Sequence, residues 1–592
     1  MAGKIRKGGD FLIAETACQD VFTPEDFSDE QRAFAETTEK FVTEEILPHH
    51  EEIENQDFSH VVKGMRKCGE LGLLMMDAAE EDGGLELDKV SSMLVGEKIS
   101  TSGSFSVAFA AHTGIGTLPL IYYGTAQQKE KYLEKIISGD WCAAYCLTEP
   151  GSGSDALSAQ TSAILSEDGS HYLLNGTKQY ITNGGFAELF TVFAKIDKEH
   201  FTAFLVEKSF PGLIVGNEEK KMGIKGSSTT QIILDNCRVP VENVLGEIGK
   251  GHKIAFNVLN IGRFKLGAGV TGAAKMALGE GIRYANERKQ FGQPISAFGA
   301  IQEKIADLTA AIYASESLVY RLAGLLDDKL ATIEKGIPDY YEQYQKAVEE
   351  YAAECGISKV FCSDVLAKTV DEVVQIHGGY GFCSEYPAER YYRDERINRI
   401  FEGTNEINRL LITGMILRRS MKGELPLQSE AMKAFESLMT PSFEEIDSSI
   451  PFATEKVTIQ NLKTLFLILA GAGVQKFMEK LSDEQEILMA AADIIIQIFA
   501  IESAVLRAEK ISAGLSPARQ EQLAAAVKVF TFNASEEAAT AARKAAYFVE
   551  EGDTLTMILS GVRRFTKYDA GGLLSAKRAL AQAAIDAEKY LF

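Results

Sequence analysis

The period of the hydrophobic residues changes twice along the chain, and this change constrains the fold more than any other feature of the sequence. The N-terminal part predicts helices, one beginning at the capping box of Ser28 and Gln31 and another covering Ala126–Ile137. β-rich runs follow over residues 143–240, and helical spacing returns after Gly251. The sequence therefore predicts helices, then a β domain, then helices again.

The β-rich part predicts one hairpin and three further strands. Asn175-Gly176 is a favoured two-residue turn, so His171–Leu174 and Thr177–Ile181 are predicted to pair through it. The further strands are predicted over Leu189–Ile196, Phe201–Glu207 and Thr229–Leu234. This pattern favours an antiparallel β-barrel or sandwich.

An apolar stripe at helical spacing follows the β domain. Its members are Ile301, Ile305, Leu308, Ile312, Val319, Leu322 and Leu326, with Ser315 as the one polar residue among them. The predicted class is α+β, mainly α. The four predicted domains are an N-terminal helical domain (1–142), a middle β domain (143–252), a helical bundle (253–425) and an extra C-terminal helical domain (426–592), with a Ser-, Pro- and charge-rich linker over 421–455.

Composition argues against several kinds of partner. The 592 residues contain 61 Lys and Arg against 84 Asp and Glu, a net charge of −23, which disfavours binding to nucleic-acid phosphates. The 8 Cys residues form no CxxC pair, which predicts reduced and mostly buried thiols. The His and Cys residues show no metal-ligand spacing, so no metal is predicted.

We expect a protein of the bacterial cytoplasm. The N-terminus begins with Met and lacks the apolar core of a secretory signal. The longest uninterrupted apolar run, Thr464–Val474, is shorter than the ~20 residues that span a bilayer.

A glycine-rich run, Gly151 to Ala156, matches the pattern GxGxxA. A Rossmann loop would need an amphipathic helix next, and Leu157–Leu165 does not have that pattern. Two interpretations stay open, a turn whose backbone N–H groups approach a phosphate and a tight turn without a ligand.

Three other motifs each have a chemical and a structural interpretation. Glu402, in an apolar setting before Gly403, is either a general base or a surface acid at a helix start. His377, followed by three glycines in four positions, is either an acid–base group or a packed residue. Tyr180 and Thr182 either stack on and bind the edge of a planar cofactor, or simply end a strand.

The motifs taken in order resemble the acyl-CoA dehydrogenase family over about residues 28–420. The resemblance rests on the runs Thr148–Asp155, Tyr180–Gly185, Arg288–Gly292, Gln375–Gly379 and Phe401–Asn405. The helical region after residue 420 resembles the very-long-chain branch of that family. The resemblance implies FAD-dependent α,β-dehydrogenation of a long-chain fatty acyl-CoA to the trans-2-enoyl-CoA, with an electron-transferring flavoprotein as acceptor and a homodimer as the assembly.

The resemblance also implies roles for individual residues. Glu402 would be the catalytic base, and its backbone N–H would help to hold the thioester oxygen. The implied FAD contacts are Thr148, Ser154, Tyr180, Thr182, Arg288, Phe291, Gln375, Gly379, Thr404 and Glu406, of which Arg288, Phe291, Gln375 and Gly379 would reach the FAD of a neighbouring subunit. The implied substrate contacts are Ser154, Arg263 and Gly403. Tyr180 stands where the family usually has Trp, and the one Trp of this chain is Trp141.

Other segments yield further expectations. Gly114 and Gly116 are predicted to leave a deep, open tunnel for the acyl chain, although Pro119 replaces another small residue. Asp327–Glu354 resembles an insertion that extends two antiparallel helices. The apolar runs Leu465–Leu469 and Ile494–Ile496 are interpreted as core rather than as a peripheral membrane contact.

Two alternative functions stay open at this point. A flavin acyl-CoA oxidase would pass electrons to dioxygen and release hydrogen peroxide. An assembly or interaction protein on the same fold would need no catalysis, and the presence of Glu402 with the flavin motifs argues against it.

Overall fold

The computed structural model describes residues 6–439, 446–447 and 449–592. The described residues form two compact units. The sheet unit consists of Ser28–Gly272 and Leu330–Glu349, and the helical unit contains the rest of the described chain. The class is mainly helical with one large sheet, which confirms the predicted α+β class and its order of helices, sheet and helices.

The sheet unit begins with helices. They are α1 (Asp29–Phe41), α2 (His50–Glu54), α3 (Phe58–Glu70), α4 (Lys89–Ile99), α5 (Ser104–Ala111), α6 (Leu118–Tyr123) and α7 (Ala126–Ile137). The predicted capping box is confirmed, since the Gln31 amide N–H donates to Ser28 Oγ over 3.2 Å. Thr125 caps α7 in the same way through the amide of Gln128. A π-helical turn, His112–Gly116, separates α5 from α6.

The sheet follows these helices. Its strands are β1 (Ala143–Cys146), β2 (Ser162–Leu165), β3 (His171–Thr182), β4 (Leu189–Ile196), β5 (His200–Glu207), β6 (Leu213–Glu218), β7 (Thr229–Pro240) and β8 (Val244–Leu245). The order is β6-β7-β3-β2-β4-β5-β8, with β1 beside β4. Most pairs are antiparallel as predicted, but β1 and β2 each pair with β4 in parallel.

The predicted hairpin at Asn175-Gly176 is wrong. The chain continues through these residues as one strand, β3, which pairs with β7 along its length. A register shift between Leu174 and Gly176 marks a bulge there. A Cβ on Gly176 would lie 2.4 Å from Thr161 Oγ1, so the glycine permits a close approach of the chain instead of a reversal.

The helical unit is built from long helices. They are the later part of α8 (Gly251–Glu287), α9 (Gly299–Leu330), α11 (Ala352–His377), α12 (Pro387–Glu395), α13 (Asn405–Met421), α14 (Leu427–Met439), α15 (Ala453–Phe477), α16 (Gln485–Ser512), α17 (Pro517–Val549), α18 (Gly552–Phe565) and α19 (Leu573–Ala587), with a short hairpin of β9 (Lys289–Gln290) and β10 (Gln293–Pro294). Most of the predicted apolar stripe of α9 is buried, and so is Ser315.

Part of the predicted linker is helical. Helix α14 occupies Leu427–Met439, and Ala434 on it is buried. The prediction of a linker over 421–455 is therefore wrong for this stretch, because its apolar residues recur at helical spacing between the polar ones. Residues 440–445 and 448 lie outside the described residues.

The segment Asp327–Glu354 does not extend two antiparallel helices as predicted. Helix α9 ends at Leu330, and a separate helix, α10 (Tyr340–Glu350), belongs with the sheet unit. The Tyr344 ring packs 5.1 Å from the Tyr122 ring, and the Lys129 ammonium lies over Tyr341. The tyrosines of the insertion thus pack against α6 and α7, which fixes the position of α10.

Three described helical segments are long and apolar enough to cross a membrane by length and composition. They are Ser104–Tyr123, Ala453–Asp483 and Gln485–Ser512, and 78%, 61% and 83% of their apolar windows is buried inside the protein. The prediction from the longest uninterrupted apolar run, that no segment is long enough to span a bilayer, is therefore wrong by length and composition. The runs Leu465–Leu469 and Ile494–Ile496 are buried, which confirms their interpretation as core.

Candidate functional site

The predicted site residues divide between the two units. Thr148, Ser154, Tyr180, Thr182 and Arg263 lie in the sheet unit. The others, Arg288, Phe291, Gln375, Gly379, Glu402, Gly403, Thr404 and Glu406, lie in the helical unit. Each set has its own geometry.

A buried ion pair supports the glycine-rich loop of the sheet unit. Lys178 Nζ lies 2.7 Å from Glu149 Oε1, and both side chains are almost completely buried. Glu149 also accepts hydrogen bonds from the backbone N–H groups of Gln160 and Thr161 at 2.6 and 3.0 Å. Burial raises the pKa of Glu149, but Lys178 and these donors outweigh burial and lower it. The carboxylate is therefore ionised and holds both ends of the loop.

The loop itself leaves its backbone accessible. In the described part of the chain, no heavy atom beyond the adjoining residues lies within 4 Å of the position that a Cβ would take on Gly151 or Gly153. Ser154 is exposed, and a short 3-10 turn, Ala156–Ser158, follows in place of a Rossmann helix. The open turn leaves room for a phosphate to approach its backbone N–H groups, so the phosphate-binding interpretation of this loop stays a prediction.

The end of strand β3 presents an aromatic ring beside a hydroxyl group. Tyr180 is 63% exposed and has a φ of 58°, at a register shift between Lys178 and Ile181. The Gln179 N–H donates to the Thr148 carbonyl over 2.9 Å, which brings Thr148 next to Tyr180. Thr182 is half-buried two residues further along the strand. A flat exposed ring at the strand end is suited to stacking on a planar group.

Asn183, a residue with no predicted role, holds this strand end. Its side chain is fully buried and donates to the Ala108 carbonyl over 2.9 Å. Its φ of 65° lets the chain turn directly after Thr182. The Asn-Gly-Gly run was the signal in the sequence, since Asn tolerates the left-handed region.

Arg263 is a buried residue of helix α8 in the sheet unit. Its Nη1 donates to Asn260 Oδ1 over 2.7 Å, one turn earlier on the same helix. The role that the resemblance implies for it, orienting the acidic loop, stays a prediction.

The loop that carries Glu402 has a left-handed backbone. Glu402 has a φ of 56° and Gly403 a φ of 80°, and the Glu402 side chain is half-buried. A left-handed non-glycine residue costs about 1–2 kcal/mol, so surrounding contacts must hold it. Thr404 caps α13 directly afterwards, its Oγ1 accepting from the Ile407 N–H over 3.2 Å. Glu406 is exposed in the first turn of that helix.

Two buried polar side chains hold this loop. Asn408 Nδ2 donates to the carbonyl groups of Glu402, Gly403 and Thr404 at 3.3, 2.8 and 3.0 Å. Lys359 Nζ, from helix α11, donates to the Gly403 carbonyl over 2.8 Å. These contacts fix the direction of the Glu402 backbone and satisfy carbonyl groups that a left-handed turn leaves outside the helix.

A cavity of about 530 Å³ lies near the end of helix α11. Its lining residues are Tyr284, Arg288, Gln290, Ile295, Ile376, His377, Gly378, Gly379, Tyr380 and Cys383. The structure thus brings Arg288 and Gly379 together, while Gln375 beside them is exposed and Phe291 is 93% exposed.

His377 is a packed wall of this cavity. Its ring stacks on Tyr284 at 4.0 Å, and its Nδ1–H donates to the Val373 carbonyl over 2.8 Å. Burial lowers its pKa, so the imidazole is neutral. Its buried Nε2 has no hydrogen-bond partner within the described chain. The packed interpretation fits this geometry, and the lone Nε2 leaves one polar atom for a ligand.

Comparison with known proteins shows that the domains carrying these features match models of one protein family. Family models for the N-terminal, middle and C-terminal domains of acyl-CoA dehydrogenase match residues 28–140, 144–237 and 249–417, and a second C-terminal domain model matches 461–564. A probable acyl-CoA dehydrogenase of Bacillus subtilis is 49% identical over 589 residues, which are 100% of this chain and 99% of that protein. The chain belongs to the acyl-CoA dehydrogenase family.

Other members of the acyl-CoA dehydrogenase family are similar over much of the length. The very long-chain specific acyl-CoA dehydrogenase of Rattus norvegicus mitochondria is 36% identical over 496 residues, covering 78% of this chain and 72% of the rat protein. A crystal structure of acyl-CoA dehydrogenase complexed with FAD from Bacillus anthracis superposes with a TM-score of 0.97 at 49% identity, covering 99% of this chain and 100% of that one.

The acyl-CoA dehydrogenase motifs located the candidate site residues, but not the buried residues that support them. Lys178, Lys359 and Asn408 were missed, although each is buried and each holds a predicted loop. A lysine inside an otherwise apolar run was the available signal at Lys359. Lysine is almost never fully buried without a partner, so such a position indicates a specific contact.

Proposed function

We propose that this acyl-CoA dehydrogenase family member uses FAD to convert long-chain fatty acyl-CoA into trans-2-enoyl-CoA and that an electron-transferring flavoprotein receives the electrons. The family membership supports the reaction type. The similarity to a very long-chain specific enzyme along 78% of this chain supports the substrate class.

The residues present fit FAD. In the sheet unit, Tyr180 offers an exposed ring and the Gly151–Gly153 turn offers backbone N–H groups. In the helical unit, Arg288 offers a positive charge to the FAD of a second copy, the role that the family resemblance implies. The planar ring system of FAD can stack on an aromatic ring, and its pyrophosphate can accept from backbone N–H groups and from a cation. Bound FAD supplies a hydride acceptor, and the protein supplies the base and the orientation.

The observation that carries the proposal is the way in which the Glu402 loop is held. Lys359 and Asn408 bind the three consecutive carbonyl groups from Glu402 to Thr404, so the carboxylate projects from a fixed, left-handed backbone. Proton removal from the α carbon needs a base within hydrogen-bond reach of that proton in the bound substrate. We propose that Glu402 removes the α proton and that its backbone N–H stabilises the developing charge on the thioester oxygen.

Small residues of the sheet unit support a long acyl chain. Apart from the adjoining backbone, none of the described residues has a heavy atom within 4 Å of a Cβ placed on Gly96 of α4 or Gly114 of the π-helical turn, and Ala110 is exposed. The prediction for Gly116 is wrong, because a Cβ there would lie 2.9 Å from the Ala111 carbonyl oxygen. Gly116 therefore serves close packing, and Gly114 is the position that leaves room.

An acyl-CoA length series tests the long-chain proposal. Each methylene that is buried contributes about 0.8 kcal/mol, so kcat/KM should rise with length up to about twelve to eighteen carbons. Gly114→Leu should shift the optimum toward shorter chains. Gly414→Leu is the matched control, since Gly414 is an exposed helical glycine of α13 that also has open space around it. A wild-type optimum at butyryl-CoA would refute the long-chain assignment.

Anaerobic titration of the flavoprotein with palmitoyl-CoA tests the reaction and the base together. Visible flavin absorbance should bleach in the wild type, should persist in Glu402→Gln, and should bleach in the control Glu430→Gln, an acid on α14. A flavin that palmitoyl-CoA leaves oxidised would refute the substrate class. Bleaching in Glu402→Gln at the wild-type rate would refute the base. Release of hydrogen peroxide as the main product in air would identify an oxidase instead.

The proposed electron acceptor requires a protein-binding surface. Phe34, Phe58, Val62, Leu71 and Leu87 are partly exposed apolar side chains that pack on the core of the N-terminal helices, and we propose them as candidate contacts for the acceptor. Leu71→Arg should slow electron transfer to an electron-transferring flavoprotein while leaving anaerobic flavin reduction by palmitoyl-CoA unchanged. Equal rates of transfer in both proteins would argue against this surface.

The homodimer is part of the proposal. The almost fully exposed Phe291 ring beside Arg288 is free to contact a second copy, which agrees with the role that the family resemblance implies for both residues. Sedimentation with simultaneous absorbance at the flavin band should show FAD in the dimer. A monomer that retains stoichiometric FAD would contradict a shared flavin site.

A further inference from the structure

A residue of the extra C-terminal region contacts the helix that follows the Glu402 loop. Arg409 of α13 places Nε 2.7 Å from Asp493 Oδ1, and Asp493 belongs to α16. The same guanidinium places Nη2 3.1 Å from Asp364 Oδ2 on α11. Arg409 therefore ties three helices together, with one carboxylate on each side.

The Asp364 carboxylate in turn orients an amide. Asn405 Nδ2 donates to Asp364 Oδ1 over 2.9 Å and to Ser363 Oγ over 3.1 Å. This orientation leaves Asn405 Oδ1 facing Lys359, whose Nζ donates to it over 2.6 Å. Lys359 is fully buried, and its ammonium also donates to the Gly403 carbonyl.

The hydrogen bonds form one continuous path inside the helical unit. It begins at Asp493, passes through Arg409, Asp364, Asn405 and Lys359, and ends at the carbonyl group of Gly403, the residue directly after Glu402. The path contains the carboxylates of Asp493 and Asp364 and the cations of Arg409 and Lys359, so its net charge is zero. Each member fixes the orientation of the next, because a guanidinium and an amide have directional donors.

We propose that Asp493 is a positioning residue for catalysis, by which the C-terminal helical domain holds the Glu402 loop in its reactive geometry. The proposal rests on the proposed role of Glu402 as the base. Without the Asp493 carboxylate, Arg409 loses one of its two fixed partners, and the contacts that set Asn405 and Lys359 loosen. A small displacement of a base slows proton removal strongly, while substrate binding depends on other contacts.

The test uses the full-length holoenzyme and the anaerobic rate constant of flavin reduction at saturating palmitoyl-CoA. Asp493→Asn should lower this rate constant about threefold to fivefold, and Arg409→Met should lower it further. FAD content, the oxidised flavin spectrum and the dissociation constant of palmitoyl-CoA should stay at wild-type values in Asp493→Asn. Asp493→Glu should restore most of the rate, because it keeps the charge.

Glu509→Gln is the matched control. Glu509 is another acid of α16, and its partner is Lys456 of α15, away from the Glu402 loop. Its reduction rate should equal that of the wild type. An unchanged rate in Asp493→Asn, a loss that Glu509→Gln shares, or a loss that parallels loss of FAD would each overturn the inference.

Glu402→Gln, measured alongside, separates this inference from the proposed function. Abolished reduction in Glu402→Gln with an unaffected Asp493→Asn refutes the positioning role alone. Undiminished reduction in Glu402→Gln refutes the base assignment, and the positioning role falls with it.

Discussion

Lys178→Met should destabilise the protein and release its flavin, because it removes the cation beneath the glycine-rich loop. The Lys178 side chain is 0% exposed and that of Glu149 6% exposed, so the carboxylate would stay buried without its counter-charge. Breaking a buried ion pair costs about 3–5 kcal/mol. Glu149 keeps its two backbone N–H donors, which places the expected loss at the lower end, about 3 kcal/mol.

The double variant Glu149→Gln/Lys178→Met tests whether the loss of stability comes from the uncompensated buried charge of Glu149. Both charges are gone, and the amide side chain that replaces the carboxylate still offers an oxygen to one backbone donor. Replacing both members of a buried pair is often close to neutral, so the double variant should recover to within about 1 kcal/mol of the wild type. The assay is thermal unfolding followed by intrinsic fluorescence, with flavin fluorescence reporting release of FAD. Lys208→Met, an exposed lysine of the same unit, is the control and should change stability by less than about 0.5 kcal/mol.

The pH dependence of this pair has a defined sign. Because the folded protein lowers the pKa of Glu149, the stabilisation from the pair is present above the unfolded pKa and is lost as pH falls through the folded pKa. The difference between wild type and Lys178→Met should therefore shrink in acid. Equal stability of the wild type and Lys178→Met near neutral pH, or a double variant no better than the single one, would refute the argument.

Three other perturbations follow from buried groups. Burial raises the pKa of Glu354 to about 7 from an ordinary 4.5. The protonated Glu354 side chain therefore contributes fully to stability below the pKa of the unfolded chain, and this contribution is lost as pH rises through about 7. Glu354→Gln keeps an acceptor for the Gly9 N–H. The free energy of unfolding of this variant should depend less on pH and should exceed that of the wild type by up to about 3 kcal/mol in mild alkali. An unchanged dependence on pH would contradict this. Gly116→Ala should lower the unfolding temperature, because its Cβ meets two backbone carbonyl groups. Gly114→Ala should leave the unfolding temperature unchanged, and equal effects of the two variants would contradict the difference in space around the two glycines. Phe11→Ala should cost about 3–5 kcal/mol in denaturant unfolding, since its ring is buried against the ring of a phenylalanine of α16, and a loss below about 1 kcal/mol would mean that this N-terminal packing is loose.

Local signals in the sequence predicted local features well. The capping box at Ser28 depends on residues three positions apart and is confirmed, and helix α7 covers Ala126–Ile137 as predicted. The helical stripe of α9 is also a property of one segment. The turn prediction at Asn175-Gly176 failed because the turn preference of these residues competes with pairing to β7, a strand more than fifty residues away. Strand β7 pairs with β3 both before and after Asn175-Gly176. Pairing with a distant strand outweighed the local turn preference of these two residues.

The candidate site shows the same difference between features encoded by a short segment and features that depend on distant segments. Tyr180, Arg288 and Glu402 belong to short motifs, so their types and order in one chain were enough to indicate a family and a chemistry. The groups that hold those motifs come from distant segments, as Lys359 does, and their partners are set by helix packing that no short run encodes.

The C-terminal domain shows why this difference matters for function. Asp493 lies more than eighty residues beyond Arg409, in a region without any of the motifs that identified the site. Its connection to Glu402 exists only because α11, α13 and α16 pack together and their polar side chains meet. A motif therefore identifies the group that reacts, while the fold decides which remote residue keeps that group in place. A domain added beyond the motifs can in this way affect the rate of the reaction without contacting the substrate.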